Sequence, residues 1–127
     1  MIVHKLSLIT KIYSEEELEK HIQWFNEYDW QYISQYQELS ESFIEKHSDK
    51  ISWSHISYCQ DLSEEFIEEY SDKLDWRGIS RDQKLSEDFI KKHIKKINLY
   101  WFMYSKNISE ELKDKIKKEI DLLKEII

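Results

Sequence analysis

The sequence of 127 residues has very few of the residues that usually mark turns and helix ends. It contains no proline, no alanine, one glycine (Gly78) and one cysteine (Cys59). A single cysteine excludes an internal disulfide and a zinc site built on cysteines. One glycine excludes a glycine-rich phosphate-binding loop. Other residue types must therefore begin and end the secondary-structure elements of this chain.

Hydropathy and composition exclude further classes of protein. No apolar run approaches the eighteen or so residues of a membrane span. The first residues, MIVHKLSLITKIY, are interrupted by polar side chains and lack a small-residue cleavage site, which argues against a secretory signal. Apolar residues make up 40% of the chain and aromatic residues 14%, too many for a disordered chain despite 35% charged residues. We predict one domain over residues 1–127, without a membrane segment and in the cytoplasm.

Self-comparison shows an internal repeat with a period of 23 residues. The middle unit reads LSEEFIEEYSDKLDWRGISRDQK, and the units before and after it align with it without gaps. A longer unit precedes these three, and the first residues resemble the second half of a unit. The predicted division is a half unit at 1–12, units at 13–38, 39–61, 62–84 and 85–107, and a cap helix at 108–127.

Each unit is predicted to form two short helices of eight to ten residues. Serine is a favoured N-cap residue, because its hydroxyl accepts a hydrogen bond from an unpaired backbone N–H. The predicted caps of the first helices are Ser14, Ser40, Ser63, Ser86 and Ser109. The predicted caps of the second helices are Asp29, Ser52, Asp75 and Asn98. These caps take the place of the missing glycine and proline.

The second helices share the pattern W-x-x-I-S-x-x-Q, beginning at Trp30, Trp53 and Trp76. Its offsets of 0, 3, 4 and 7 lie on one helical face, so we predict that this face is buried between stacked units and that the small serine allows close approach. The final segment carries one apolar stripe: Leu112, Ile116, Ile120, Leu123 and Ile127. The predicted fold is all-α, a short α-solenoid of two-helix repeats with a longer C-terminal capping helix, its hand left open.

The units LSEEFIEEYSDKLDWRGISRDQ and LSESFIEKHSDKISWSHISYCQ resemble the repeats of about 23 residues found in many uncharacterised proteins of phages, large DNA viruses and AT-rich bacteria. The resemblance covers about residues 14–107. It implies a helical repeat and a mobile-element setting, in which small inhibitors of host defence are common. It implies no catalytic residue.

The repeat explains most of the tryptophan and histidine residues that could otherwise suggest a binding, metal or catalytic site. The three repeated tryptophans are predicted core residues. Trp24 and Trp101 do not repeat and are better candidates for a surface role, with packing in a core at the end of the stack as the favoured alternative. His47 and His93 occupy the position of a tyrosine in the unit 62–84, so this position needs no metal. Cys59 is predicted to be a small buried apolar residue. We predict no catalytic residue, no metal, no cofactor and no enzymatic activity.

The positions that do not repeat are the informative ones. They lie one, two, five and six residues after the tryptophan position, and we name them the variable face. Tyrosine and arginine are enriched where proteins bind one another, although unconstrained drift on a solvated face stays open as an explanation. Gly78 is interpreted as a gap in this face. The predicted partner-binding residues are Tyr32, Gln35, Tyr36, His55, Tyr58, Arg77, Arg81, Tyr100, Trp101 and Tyr104.

Charge is distributed unevenly along the chain. Residues 14–49 carry ten acidic and two basic side chains, whereas residues 77–96 carry seven basic and three acidic ones. The acidic half argues against general nucleic-acid binding, which requires a basic domain. The same half is also the feature that would let the chain imitate a row of phosphates.

Three functions follow from these patterns. The leading hypothesis is a non-enzymatic helical-repeat protein that binds a protein partner through the variable face. The first alternative, which the resemblance to phage repeat proteins implies and the acidic half supports, is a phage-encoded inhibitor of a host nuclease or defence complex, similar to an anti-CRISPR protein or acting as a nucleic-acid mimic. The second alternative is nucleic-acid binding by the basic patch at residues 77–96. The pattern names neither the partner nor the oligomeric state.

Overall fold

The structure, a computed structural model, describes residues 6–126. Its secondary structure in this range is helical without strands, which confirms the predicted all-α class. None of the helices in these residues is long and apolar enough to cross a bilayer. The helices are α1 (Glu15–His21), a 3₁₀ helix (Ile22–Trp24), α2 (Glu27–Tyr36), α3 (Glu41–Lys46), α4 (Trp53–Cys59), α5 (Glu64–Glu69), α6 (Trp76–Asp82), α7 (Glu87–Lys92), α8 (Leu99–Phe102) and α9 (Glu110–Ile126).

Most of the predicted helix starts are confirmed. The hydroxyl oxygen of each predicted first-helix serine accepts from the backbone N–H three residues later, as the caps of α1, α3, α5, α7 and α9 show. The prediction for α2 was wrong, because its N-cap is Asn26 and not Asp29. Asp29 instead accepts from the Asn26 N–H while Asn26 accepts from the Asp29 N–H, both at 2.9 Å, which is a capping box.

The predicted helix length of eight to ten residues was too long for most elements. Helices α3, α5 and α7 have six residues each, α4 and α6 have seven and α8 has four. Such short helices are unstable alone because helix nucleation is costly, so packing between units must hold them. The predicted half unit at 1–12 lies partly outside the described residues, and its described part forms a turn at residues 8–10.

The second helices pack in chain order: α2 contacts α4, α4 contacts α6, and α6 contacts α8. The isoleucine of the W-x-x-I-S-x-x-Q pattern is fully buried in each of the first three, and Phe102 takes its place in α8. The first helices bury a second set of fully covered isoleucines, Ile44, Ile67 and Ile90. The core is therefore one continuous row of apolar side chains that recurs with the sequence period.

Glutamine side chains close the C-terminal ends of the second helices. Gln60 Nε2 donates to the carbonyl oxygens of Ser34 and Gln37 at 2.9 and 2.6 Å, and Gln60 Oε1 accepts from the Leu39 N–H at 3.1 Å. Gln83 makes the same three bonds one unit later, and Gln37 makes them one unit earlier. Helices often end at a left-handed glycine, but no residue between 6 and 126 has positive φ. The next unit supplies the missing C-cap.

The repeated serine does more than allow close approach. Ser34 Oγ donates to the Trp30 carbonyl at 2.7 Å and accepts from the Ser52 N–H at 2.9 Å, which fixes the start of the next second helix. Ser57 and Ser80 accept in the same way from Asp75 and Asn98. The small residue was predictable from the pattern, whereas its hydrogen bond between units required the tertiary structure.

Aromatic side chains form triads between adjacent units, in which the tryptophan of one unit packs on two residues of the next. In the middle one, Phe66 lies 6.3 Å from Trp53 and 4.6 Å from Tyr70, centroid to centroid. Equivalent triads are built on Trp30 and Trp76. Trp30 is buried, as predicted, but Trp53 and Trp76 are partly exposed. The indole N–H of each of these two donates a hydrogen bond to a backbone carbonyl, of Ser48 and Ser71 respectively.

The third residue of each triad also reaches back to a carboxylate of the preceding unit. His47 Nε2 donates to Glu19 Oε1 at 2.6 Å, and the Tyr70 hydroxyl donates to Glu45 at 2.6 Å. The bond to Glu45 raises the pKa of Tyr70 to about 12. The bond from His47 and, after it, the nearby Lys46 ammonium hold the pKa of Glu19 below its ordinary value, against the opposing effect of burial.

We expect acid to weaken the fold through Glu19. Because its folded-state pKa is lowered, the ionised carboxylate stabilises the protein above its unfolded pKa of about 4.3, and this stabilisation is lost as the pH falls through the folded value. Glu19→Gln should therefore make the urea midpoint less dependent on pH between roughly 5 and 3. Glu17→Gln is the control on the same helix. Parallel pH profiles of the two variants would contradict the expectation.

The C-terminal helix α9 contacts α7 through ion pairs, including Lys115 to Glu87 at 2.8 Å. The predicted apolar stripe is partly confirmed: Ile116 is fully buried, Leu112, Ile120 and Leu123 are half-buried, and Ile127 lies outside the described residues. Lys113 is an unpredicted member of this buried set, with 4% of its surface exposed and Glu110 as its ion-pair partner at 3.0 Å. Its repeat position is the one that the fully buried isoleucines occupy in earlier units.

Lys113→Ile should therefore stabilise the protein, because it replaces a buried charge with the residue that the repeat uses elsewhere. We expect the free energy of unfolding to rise by about 1 kcal/mol or more, measured by urea denaturation. Lys117→Ile, on the exposed side of α9, is the matched control and should bring no such gain. A less stable Lys113→Ile protein would show that the ammonium group has a stabilising role.

Candidate functional site

An open depression of about 490 Å³ lies where α6 meets α8. Four of its lining residues, Arg81, Tyr100, Trp101 and Tyr104, belong to the predicted partner-binding set, and the structure brings them together. The complete lining, which we name the aromatic depression, is Arg81, Asp82, Tyr100, Trp101, Tyr104, Lys106 and Asn107.

The three aromatic rings of the depression contact one another. The centroid of Tyr100 lies 5.2 Å from that of Trp101 and 5.3 Å from that of Tyr104, with steep angles between the ring planes. Such edge-to-face contacts are favourable and hold the rings in place. Tyr100 and Tyr104 are nevertheless 64% and 58% exposed. The adjacent Tyr104 hydroxyl raises the pKa of Tyr100, so the Tyr100 hydroxyl stays protonated near pH 7.

The two arginines of the chain have different surroundings. Arg77 donates from Nε and Nη2 to the Asp75 carboxylate at 3.0 and 2.7 Å, and this bond lowers the pKa of Asp75. Arg81 lies over Trp101, with its guanidinium carbon 5.6 Å from the ring centroid. Its nearest carboxylate is Asp82, and the Nε to Oδ1 distance of 3.8 Å is too long for a hydrogen bond.

Asp82 gives the depression a negative group beside two positive ones, Arg81 and Lys106. Burial raises the pKa of the Asp82 carboxyl, and the nearby Arg81 charge opposes this shift. The Asp82 backbone carbonyl accepts from Asn107 Nδ2 at 2.8 Å, which ties the last unit to the preceding one. The side chains that line the depression therefore carry a net positive charge at pH 7.

Three predicted partner-binding residues lie on α2, at the other end of the series of second helices, and do not line the aromatic depression. Gln35 and Tyr36 line a separate depression of about 460 Å³, together with Cys59. Tyr32 lines a third one of about 320 Å³ with residues 6–10. Cys59 is exposed, so the prediction of a buried apolar residue was wrong. Partial burial, and then the charge of Asp82, raise the pKa of the Cys59 thiol, which keeps it protonated near pH 7.

The predicted residues in the middle of the row are occupied by local contacts. His55 Nδ1 lies 2.7 Å from the hydroxyl of its own N-cap, Ser52. The Tyr58 ring packs on Gly78, where an added Cβ would stand 3.0 Å from Tyr58 Cγ and 3.0 Å from the Ser57 carbonyl carbon. The interpretation of Gly78 as a surface gap was therefore wrong. Gly78 is buried and allows α4 and α6 to approach closely.

Ion pairs neutralise most of the basic patch at residues 77–96. Lys91 pairs with Glu87 at 2.9 Å, Lys96 pairs with Asp72 at 3.3 Å, and Lys92 pairs with Glu68. The Lys115 bond and then the Lys91 bond lower the pKa of Glu87 to about 2, so this carboxylate stays charged. Carboxylates from outside the patch, Glu68 and Asp72, thus offset part of the net positive charge of residues 77–96 on the folded surface.

Three lining residues were not among the predicted partner-binding residues: Asp82, which stands on the variable face, and Lys106 and Asn107, which lie outside it. One signal was available for Lys106. It stands at the repeat position of the C-capping glutamines, so the pattern W-x-x-I-S-x-x-Q ends in lysine in the last unit. The last unit therefore has no capping glutamine at this position, and Lys106 lines the depression instead.

Within residues 6–126, no three side chains of histidine, cysteine, aspartate or glutamate are grouped so that they could hold a metal ion. No family model matches the chain, and no curated protein and no solved structure is significantly similar to it. The site is therefore interpreted from its own geometry.

Proposed function

We propose that this chain is a non-enzymatic α-solenoid that binds a protein partner through the variable face of its second helices. The observation that carries the proposal is the different use of repeated and unrepeated positions. The repeated isoleucines are buried in the core. The repeated glutamines and serines are also buried, and their side chains form hydrogen bonds between units. Unrepeated positions include the exposed tyrosines of α2 and α8 and both arginines, and several of them meet in the aromatic depression.

The composition of that depression supports binding of a protein. Tyrosine, tryptophan and arginine dominate the residues that contribute most to protein–protein affinity, because they bury large areas at low entropic cost. Tyr100, Tyr104 and Arg81 are exposed, and their ring contacts hold them in place before a partner arrives. This preorganisation lowers the cost of association.

The two alternatives have less support. The neutralising ion pairs within residues 77–96 weaken the case for nucleic-acid binding. Several carboxylates of the acidic half support the scaffold, since Glu15 and Glu41 each accept from the N–H and the hydroxyl of a serine cap in the following unit. An inhibitor that imitates nucleic acid would need such carboxylates for its target. The resemblance to phage repeat proteins stays a prediction.

Site-specific photo-crosslinking tests the proposal in the organism that encodes the chain. A benzoylphenylalanine at Tyr104 or Tyr36 should yield one discrete adduct with the same protein, identified by mass spectrometry. The matched controls carry the crosslinker at Glu65 or Lys46, which are exposed on first helices. Equal adducts from both faces, or nucleic acid in place of a protein, would contradict the proposal.

A further inference from the structure

We infer that the aromatic depression binds a side-chain carboxylate in an acidic, aromatic-containing segment of the partner, and that Arg81 holds this carboxylate. The inference rests on the proposed function, because it names the partner chemistry that this part of the variable face recognises. Its basis is the contrast between the two arginines, the chemistry of the rings and the charge of the surroundings.

Arg81 lies against Trp101, but its hydrogen-bond donors are not all used within the described residues. The contact with Trp101 is a cation–π approach at 5.6 Å, and it supplies no hydrogen-bond acceptor atom, so the N–H donors of the guanidinium group can bond to another acceptor. In the described part of the chain its one ionic contact is the 3.8 Å approach to Asp82, while 48% of its side chain is exposed. Arg77, four residues earlier, already holds a carboxylate with two bonds. Arg81 can offer that same bidentate geometry to a group from outside.

The ligand group is an anion and not a cation. An aromatic cage for an ammonium group needs open ring faces around an empty centre. In this site the three rings contact one another with centroids 5.2–6.3 Å apart, and Arg81 already covers Trp101. Lys106 adds a second positive charge to the lining. A cationic ligand would be repelled by both groups.

A carboxylate fits this site better than the phosphates of a nucleic acid. Binding of a single strand needs a continuous basic groove along the backbone. The lining holds two cationic side chains, Arg81 and Lys106, together with the carboxylate of Asp82, so it offers no continuous basic track. Three other lysines of residues 77–96 are paired with carboxylates: Lys91, Lys92 and Lys96. The whole chain has a net charge of −7, which repels a long polyanion more than it repels one carboxylate. The guanidinium group of one arginine can form two parallel hydrogen bonds to one carboxylate.

The carboxylate should belong to an internal aspartate or glutamate of the partner. Capture of a C-terminal carboxylate commonly uses a nest of backbone N–H groups, whereas side chains line this depression. The exposed Tyr100 and Tyr104 rings beside Arg81 provide contact area for an aromatic or large apolar neighbour of the acidic residue. The recognised segment therefore combines Asp or Glu with such a neighbour.

Selection of peptides by the full-length chain tests this inference. Random nine-residue peptides displayed within a phage coat protein, so that neither peptide end is free, are selected on the immobilised protein. Enriched sequences should contain Asp or Glu next to an aromatic or large apolar residue. Synthetic versions with both ends blocked are then measured by fluorescence anisotropy.

Paired substitutions in the protein and the peptide isolate the proposed contact. Arg81→Lys keeps the charge but loses the bidentate geometry, so it should raise the Kd about tenfold. Lys46→Arg exchanges the same two cations in the opposite direction on the exposed side of α3, outside the variable face, so it is the control and should leave the Kd unchanged. Changing the acidic peptide residue to its amide should weaken binding to the wild type and to Lys46→Arg, but hardly to Arg81→Lys, because coupled partners are not additive. Circular dichroism verifies that both variants fold.

Several results would overturn the inference. They are a failure to enrich any peptide, enrichment without acidic residues, equal effects of Arg81→Lys and Lys46→Arg, or displacement of the peptides by a fifteen-residue oligothymidylate. If Tyr104 still crosslinks to one protein in the cell while the peptides bind without an acidic residue, the carboxylate assignment is wrong and the proposed function stands. If the variable face yields no specific adduct, the proposed function itself fails.

Discussion

Replacing Gln60 with leucine is expected to lower the free energy of unfolding by about 4 kcal/mol. The substitution keeps most of the side-chain volume but leaves three buried backbone groups without a partner: the carbonyls of Ser34 and Gln37 and the N–H of Leu39. Each such loss costs about 1–3 kcal/mol, because the group was removed from water and gains nothing in return. Urea denaturation, followed by circular dichroism, measures the change.

Gln35→Leu is the matched control for this experiment. Gln35 is a half-buried glutamine of α2 with no hydrogen bond to the backbone in the described residues, so its replacement should change stability by no more than about 0.5 kcal/mol. Equal urea midpoints for the two variants would show that the glutamine bonds do not hold the units together. A large loss for Gln60→Leu alone would identify the side chain from the next unit as the C-cap of α2.

Phe66→Ala is the second substitution with a large expected effect, again about 4 kcal/mol of unfolding free energy. Phe66 is 5% exposed and lies between Trp53 and Tyr70, so truncation leaves a cavity in the middle of the stack. Both neighbouring rings lose a packing surface. Thermal and urea unfolding measure the loss, and tryptophan fluorescence reports the changed environment of Trp53.

Phe66→Leu separates the cavity from the loss of the ring. It restores most of the volume and should cost less than about 1.5 kcal/mol. If leucine were as damaging as alanine, contacts between the aromatic rings and not filled volume would dominate the triad. If neither substitution mattered, the unit 62–84 would not be part of the cooperative core.

The all-α class and most helix starts were predictable because they depend on local chemistry. A serine side chain reaches the N–H three residues later in almost any surroundings, as Ser40 and Ser63 do. The cap of α2 was missed because Asn26 and Asp29 are both suitable cap residues, and their reciprocal bonds decide which one begins the helix. Helix lengths were overestimated because an isolated periodic pattern does not show where neighbouring units stop a helix.

The candidate site was predictable in part. The repeat separated buried positions from variable ones, and four of the ten predicted residues lie together in the aromatic depression. The pattern placed Arg77 and Arg81 alike, although the first is bonded to Asp75 and the second lies over Trp101. It also placed Gly78 on the surface, whereas the close approach of α4 buries it.

The sequence by itself determined the repeat, the caps and the buried stripe, because N-cap bonds and helical periodicity act within a few residues along the chain. Tertiary structure alone decided the bonds of Gln60, the burial of Gly78 and the exposed donors of Arg81. These depend on the distance between helices more than fifteen residues apart, which side-chain packing sets. A chain almost without glycine and proline therefore ends its helices with side chains from the next unit.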